Sequence, residues 1–180
     1  MTSFANPAAD AQAGAAAYIA SLLSMLGDRD PLAVMEEQPG AIATIGGNVP
    51  EALLRRPEAP GKWSMMEVLQ HLADTEIVYG YRVRTTLATP GAPIQGYDQD
   101  VWARELRYRD GNFADAIDQL RVLRRINLRL LRSLGEEELD RFGLHSERGP
   151  ESVRQVIKLT AGHDLVHRRQ FERIRKAVSP

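Results

Sequence analysis

Cysteine is absent from the 180 residues of the chain, which excludes disulfides, thiolate nucleophiles and cysteine-based zinc sites. Any metal centre must therefore be built from histidine, aspartate, glutamate or water. A surplus of charge is missing too. The 23 Lys and Arg against 24 Asp and Glu leave a formal net charge of -1, so no global field recruits nucleic acid or an anionic membrane. Runs of β-branched alternation between hairpin turns are nearly absent, whereas helical periodicity recurs along most of the chain. The sequence reads as all-α, and its length suits one domain with a sizeable core. No basic residue precedes Arg29, and the Ala-rich stretch from Ala11 to Leu26 is broken by Gly14, Ser21 and Ser24. That pattern fits neither a signal peptide nor a spanning helix, and the cytoplasm is the expected location.

What is present is a succession of amphipathic segments with recognisable ends. Tyr18, Ile19, Leu22, Leu23 and Leu26 share one face, Gly27 closes that segment, and Asp30 with Pro31 opens the next. Pro39 and Gly40 read as an interruption there, with helix resuming through Ile42 and Ile45 until Gly46-Gly47-Asn48. In "KWSMMEV", Ser64 and Glu67 form a capping box and Trp63 can staple to Val68. This predicts a helix from about Met65 to Leu87. The stretch from Thr89 to Asn112 then reads as a long loop with at most one helical turn, and long ordered loops are often functional. Asn112 caps a helix expected from Phe113 to Leu134, and Ser152 with Gln155 starts a last helix running to about Ala177.

On that last helix the spacing 4, 3, 4, 3 selects Val153, Ile157, Thr160, Asp164, His167, Phe171, Ile174 and Val178 as a buried seam. Asp164 and His167 occupy its middle, and His163 lies one turn before His167. Two histidines and a carboxylate are costly to bury unless they are paired or coordinate a metal. A third histidine, His71, stands between Val68 and Thr75 on the Ser64-capped helix. Two histidines at i, i+4 on one helix plus one from another make a three-histidine set with an open side. The residues alone leave two readings open, a metal site or hydrogen-bonded core histidines. A zincin is disfavoured, because the residue after His163 is Asp164 where that motif requires glutamate. His145, in "GLHSERG", reads as a loop residue.

The segments "PGKWSMMEVLQHLADTE", "GYDQDVWA", "GLHSERGPESV" and "AGHDLVHRRQFERIR" together resemble the DinB-like superfamily, in its YfiT-type branch of metal-dependent hydrolases. The resemblance covers about Asp30 to Lys176. It implies an up-down-down-up four-helix bundle over 30–180, preceded by a helical N-terminal extension at 1–29. It also implies that His71, His163 and His167 hold one divalent ion (zinc, nickel or iron) that activates water toward a small-molecule substrate. Members that use a low-molecular-weight thiol, of the bacillithiol or mycothiol type, provide a transferase alternative. A non-catalytic metal- or ligand-binding bundle is a third reading. Nucleic acid and membrane are not expected partners, and a homodimer is left open.

Metal-bound histidines usually donate their second N–H to a carboxylate or carbonyl. Asp74 and Gln170, each three residues after a candidate ligand, and Asp164 on the seam are therefore candidate supports. For Asp74 a solvated position or a salt bridge is the competing reading, and Glu76 reads as surface. Asn127 interrupts the apolar period of its helix, either to face the pocket or to hydrogen-bond across the bundle. Tyr97, Asp98 and Trp102 of the long loop are candidates for a lid, with plain packing the alternative for Trp102 and Trp63. The stripe Arg121, Arg125, Arg129 and Arg132 lacks interleaved aromatics and reads as a solvated, salt-bridged face.

Overall fold

Four long helices carry the fold, and each starts where the sequence supplies a cap. The computed structural model describes residues 11–179, so the part of the expected extension at 1–10 lies outside the described residues. Its helices are α1 (Ala11–Leu26), α2 (Pro31–Gly46), α3 (Glu51–Leu54), α4 (Met65–Ala88), α5 (Gln99–Glu105), α6 (Phe113–Leu131), α7 (Glu136–Leu139) and α8 (Val153–Val178). Asp30 accepts from the Leu32 amide at the start of α2, and Pro31 occupies the first turn, where its missing N–H costs nothing. Ser64 and Glu67 make both bonds of the capping box on α4. Asn112 caps α6 and Ser152 caps α8.

Side-chain pairings give the direction of each helix. Asp74 meets Gln119, and farther along both chains Glu76 meets Asn127, so α4 and α6 run parallel. Gly46 faces Phe113 while Glu36 binds Arg132, so α2 and α6 are antiparallel. Gln38 bonds the Asp164 carbonyl and Gly46 lies against Phe171, so α2 and α8 are parallel. The result is an up-down-down-up four-helix bundle. The two parallel neighbours α4 and α6 can only be joined by a long crossover.

That crossover is more structured than a loop with one turn. It contains β1 (Pro93–Ile94), then α5, then a 3-10 turn at Tyr108–Asp110. β1 pairs parallel with β2 (Phe142–His145), which pairs antiparallel with β3 (Gly149–Ser152). The small sheet escaped the sequence reading because "FGLH" and "GPES" contain no β-branched residue. His145 is accordingly the end of a strand, opposite Gly149, not a loop residue.

A second correction concerns α2, which runs unbroken through Pro39. Proline inside a helix removes the hydrogen bond to the carbonyl four residues earlier. Here that carbonyl belongs to Met35, and the Arg124 guanidinium donates to it at 2.5 Å. The bond lost to proline is replaced by a charged one from a neighbouring helix, and the helix continues.

The apolar core falls into two clusters. One contains Ile42, Leu69, Leu72, Leu120, Phe171 and Ile174. The other contains Val34, Val83, Leu128, Val153, Ile157 and Leu165. Between them lies a buried polar layer with members from all four bundle helices: Gln38, Glu76, Arg124, Asn127, Asp164 and His167. Every residue of the predicted α8 seam is buried.

Helix α1 packs on α8 at Gly162, where an added methyl would collide with the Leu22 carbonyl. We expect Gly162→Ala to cost about 1–3 kcal/mol, the range for overpacking a filled site, measured as a lowered urea midpoint. An unchanged midpoint would mean that α1 does not hold this contact in solution.

Candidate metal centre

His71 comes from the first half of α4, and His163 and His167 come from consecutive turns of α8. The antiparallel pairing of these helices brings the three rings together. Ring centroids are 5.1 Å apart for His71 and His163, 4.8 Å for His71 and His167, and 4.3 Å for His163 and His167. One ligand atom from each lies within 4.8 Å of the others, and all three residues are buried. Burial, the largest cause for each, holds all three imidazoles below the ordinary histidine pKa; His71 and His163 lie well below it, and His167 is pushed down to about 4. Their mutual repulsion if charged adds to the effect on His71 and His163. They are neutral near pH 7, the form that ligates a metal.

The fit to an ion rests on where the ring nitrogens point. His71 Nε2 and His163 Nε2 face each other at 3.0 Å, while the Nδ1 atoms of both are buried without a hydrogen-bond partner among the described residues. In a tetrahedral site with bonds of 2.0–2.1 Å, ligand nitrogens stand about 3.4 Å apart. His167 Nδ1 lies 2.7 Å from Gln170 Oε1. Because a carbonyl oxygen only accepts, this bond puts the proton on Nδ1 and makes Nε2 the unprotonated nitrogen of the ring. Trp63 flanks the set, its ring 5.1 Å from that of His71, and Tyr79 presents an edge to His163 at 6.1 Å.

Of the four candidate supports, Gln170 is the one seen to hydrogen-bond a triad histidine through its side chain. The Asp164 carboxylate turns away to Arg124, with contacts of 2.5 and 3.1 Å. Asp74 accepts from Tyr108 at 2.8 Å and from Gln119 at 2.9 Å, anchoring the crossover to the bundle. Asn127 donates to Glu76 and accepts from Arg84, the cross-bundle alternative of its two readings. In the crossover, Asp98 caps α5 by accepting from the Asp100 and Val101 amides, and the rings of Tyr97 and Trp102 meet at a tilt with centroids 4.5 Å apart.

Glu76 is not a surface residue: it is 1% exposed and binds Arg124 at 2.7 Å. Arg124 was missed in the sequence, and it is the residue that ties the layer together. From α6 it reaches the Met35 carbonyl on α2, Glu76 on α4 and Asp164 on α8. The surrounding stripe is solvated as expected, with Arg121, Arg125, Arg129 and Arg132 all exposed.

His145 is buried outside this layer, and its pKa is pushed down to about 4, by burial first and then by Arg148 and Arg82. Between the unfolded value near 6.5 and about 4, the unfolded chain binds a proton that the folded chain does not. Its stabilising contribution is complete above pH 6.5 and is lost as the pH falls toward 4. Urea midpoints from pH 7 to 4.5 should therefore fall less steeply for metal-free His145→Asn than for the metal-free parent. Identical slopes would show that His145 takes up its proton equally in the folded and unfolded states.

Residues 35–171 match the profile of a family described as the DinB superfamily. A Bacillus subtilis protein named "Putative metal-dependent hydrolase YfiT" is 26% identical over 117 residues, covering 63% of this chain and 64% of the relative. A Bacillus cereus protein named "Putative metal-dependent hydrolase" is 24% identical over 145 residues, 81% of this chain and 83% of the relative. The chain thus spans somewhat less than two thirds of the first relative and more of the second. The solved structure of B. subtilis YfiT, described as a probable metal-dependent hydrolase with an unusual four-helix bundle topology, superimposes with a TM-score of 0.72. It shares 22% identity and covers 79% of this chain and 84% of that one, which supports the fold.

Proposed function

The chain belongs to the DinB superfamily, and from that premise we propose that it is a metal-dependent hydrolase of small molecules. The observation that carries this reading is the convergence of three buried, neutral imidazoles from two helices, one of them oriented by Gln170. Three histidines leave a coordination position for water or substrate, the pattern of catalytic sites, whereas structural sites are closed by a fourth protein ligand. A divalent zinc, nickel or iron ion bound there supplies Lewis acidity and lowers the pKa of a ligand in the open position.

The remaining work belongs to the chain. His71, His163 and His167 hold the ion, and Gln170 fixes the ring of His167 by accepting from Nδ1. Trp63 and Tyr79 wall the site with aromatic surface, which limits water and strengthens electrostatic interactions within. A cytoplasmic location accords with the reading. Among the described residues, no helix is long and apolar enough to cross a membrane. We also propose that the boundary between an N-terminal extension and the bundle domain falls at Asp30, since α1 (Ala11–Leu26) lies outside the four-helix set.

The test is a panel of ester, amide and lactone substrates offered to metal-loaded and metal-stripped protein, with and without low-molecular-weight thiols. Metal-dependent turnover without thiol is expected. Turnover only with thiol would replace hydrolysis by thiol transfer, and metal binding without turnover under either condition would favour a ligand-binding bundle.

A further inference from the structure

One tyrosine away from the histidine triad lies a buried cation that makes no ion pair among the described residues. Arg82 of α4 is 5% exposed. Its Nη2 donates to the Gln95 carbonyl at 3.1 Å, while its Nε is buried without a partner among the described residues. Its guanidinium carbon stands 5.7 Å from the centre of the Tyr79 ring, the same ring that meets His163. Arg124, the other buried arginine among the described residues, is paired with Glu76 and Asp164, and the half-buried Arg148 is paired with Glu151 at 2.5 Å. A carbonyl and an aromatic face leave the charge of Arg82 in place, and an uncompensated buried charge is costly. A bound anion would remove that cost.

The neighbours suit an anion. Burial first, then Arg148, whose side chain is 14% exposed, and Arg82, depress His145, whose Nε2 is buried and unpartnered among the described residues. The Tyr97 hydroxyl is 3.5 Å from Thr75 Oγ1, which donates to the backbone carbonyl of His71, so this phenol is linked through Thr75 to the turn that carries one histidine of the triad. Both guanidiniums act on it electrostatically. Among the described residues Glu151 pairs with Arg148 and no carboxylate pairs with Arg82, and a guanidinium fork matches a carboxylate or a phosphate.

We propose that Arg82 and Arg148, with the hydroxyl of Tyr97, bind an oxyanion of the substrate, a carboxylate or a phosphate, while its reacting group lies at the triad. The preferred substrates are then anionic small molecules. The position of the reacting group rests on the hydrolase reading; the binding of the anion does not.

The experiment is an amide NMR titration of the full, metal-stripped chain with inorganic phosphate and, separately, acetate, at constant ionic strength set by sodium chloride. At least one anion should give saturable shifts at Tyr79, Gln95 and Glu151; which one does so tells phosphate from carboxylate. Arg82→Gln should raise its Kd tenfold or more, and the exposed Arg129→Gln should leave it unchanged. Arg82→Lys keeps the buried charge without the fork, and should raise Kd several-fold if the glutamine variant does not fold. No saturable shift with either anion, or an unchanged Kd in the lysine or glutamine variant, overturns the site. Metal content measured on the same preparations separates the two claims. A chain that binds the anion through Arg82 yet takes up no metal sustains this site and refutes the hydrolase reading, and one that takes up metal but neither anion does the reverse.

Discussion

Arg124→Ala is expected to lower the unfolding free energy by about 3–5 kcal/mol, the cost of breaking a buried ion pair from one side. The substitution strands three acceptors at once. Glu76 and Asp164 are each 1% exposed, and without the guanidinium they become neighbouring carboxylates in an apolar interior. The Met35 carbonyl, denied its helical partner by Pro39, loses its replacement donor. Burial already pushes Asp164 up to about 6 against the opposing pull of Arg124, so loss of the arginine should drive it higher and the variant should take up protons on folding. Urea denaturation measures the loss. Replacing all three charges together, Arg124→Met with Glu76→Met and Asp164→Leu, should recover much of it, because a buried ion cluster and an apolar one of similar volume are often close in stability. A single Arg124→Ala within 1 kcal/mol of the parent would mean that the layer is hydrated.

His71→Ala is expected to weaken metal affinity more than a hundredfold. His71 is the triad's sole contribution from α4, so its removal leaves a two-histidine site on one helix. Gln170→Ala should weaken affinity by about 10–100-fold, the usual effect of removing a partner that orients a ligand, because the ring of His167 then loses the bond at 2.7 Å that fixes its tautomer. Asp74→Asn should leave affinity unchanged, since its carboxylate serves Tyr108 and Gln119. Competition against a chelator at fixed pH ranks the three variants. Equal affinities for His71→Ala and the parent would place the ion elsewhere.

The helices and their caps were legible because each is a local event: a serine with a glutamate three residues on, or a proline after an aspartate, acts within one turn. The α8 seam was legible for the same reason, and it carried His167 and Asp164 into the core before any neighbour was known. The partner of Asp164 was not, because it is 40 residues away on the diagonal helix. A signal for it exists in the sequence. Ile117, Leu120, Arg124, Asn127 and Leu131 follow the spacing 3, 4, 3, 4 and are all buried, yet Arg124 sits among "RVLRRINLR" and was overshadowed by the solvated stripe beside it. Glu76 likewise continues Met65, Leu69 and Leu72 at 4, 3, 4. A charge on a seam in one helix calls for an opposite charge on a seam in another, and that rule would have paired them. The sheet had no comparable signal, since its strands are set by pairing across the crossover and not by their own residue types.

Elemental analysis of the purified chain, as isolated and after loading with zinc, nickel or iron(II), tests the central claim most directly when the parent is compared with the double variant His163→Ala, His167→Ala. The account predicts close to one divalent ion per parent chain, and essentially none in a double variant that keeps its helical circular dichroism. Equal metal content in the two proteins would contradict it.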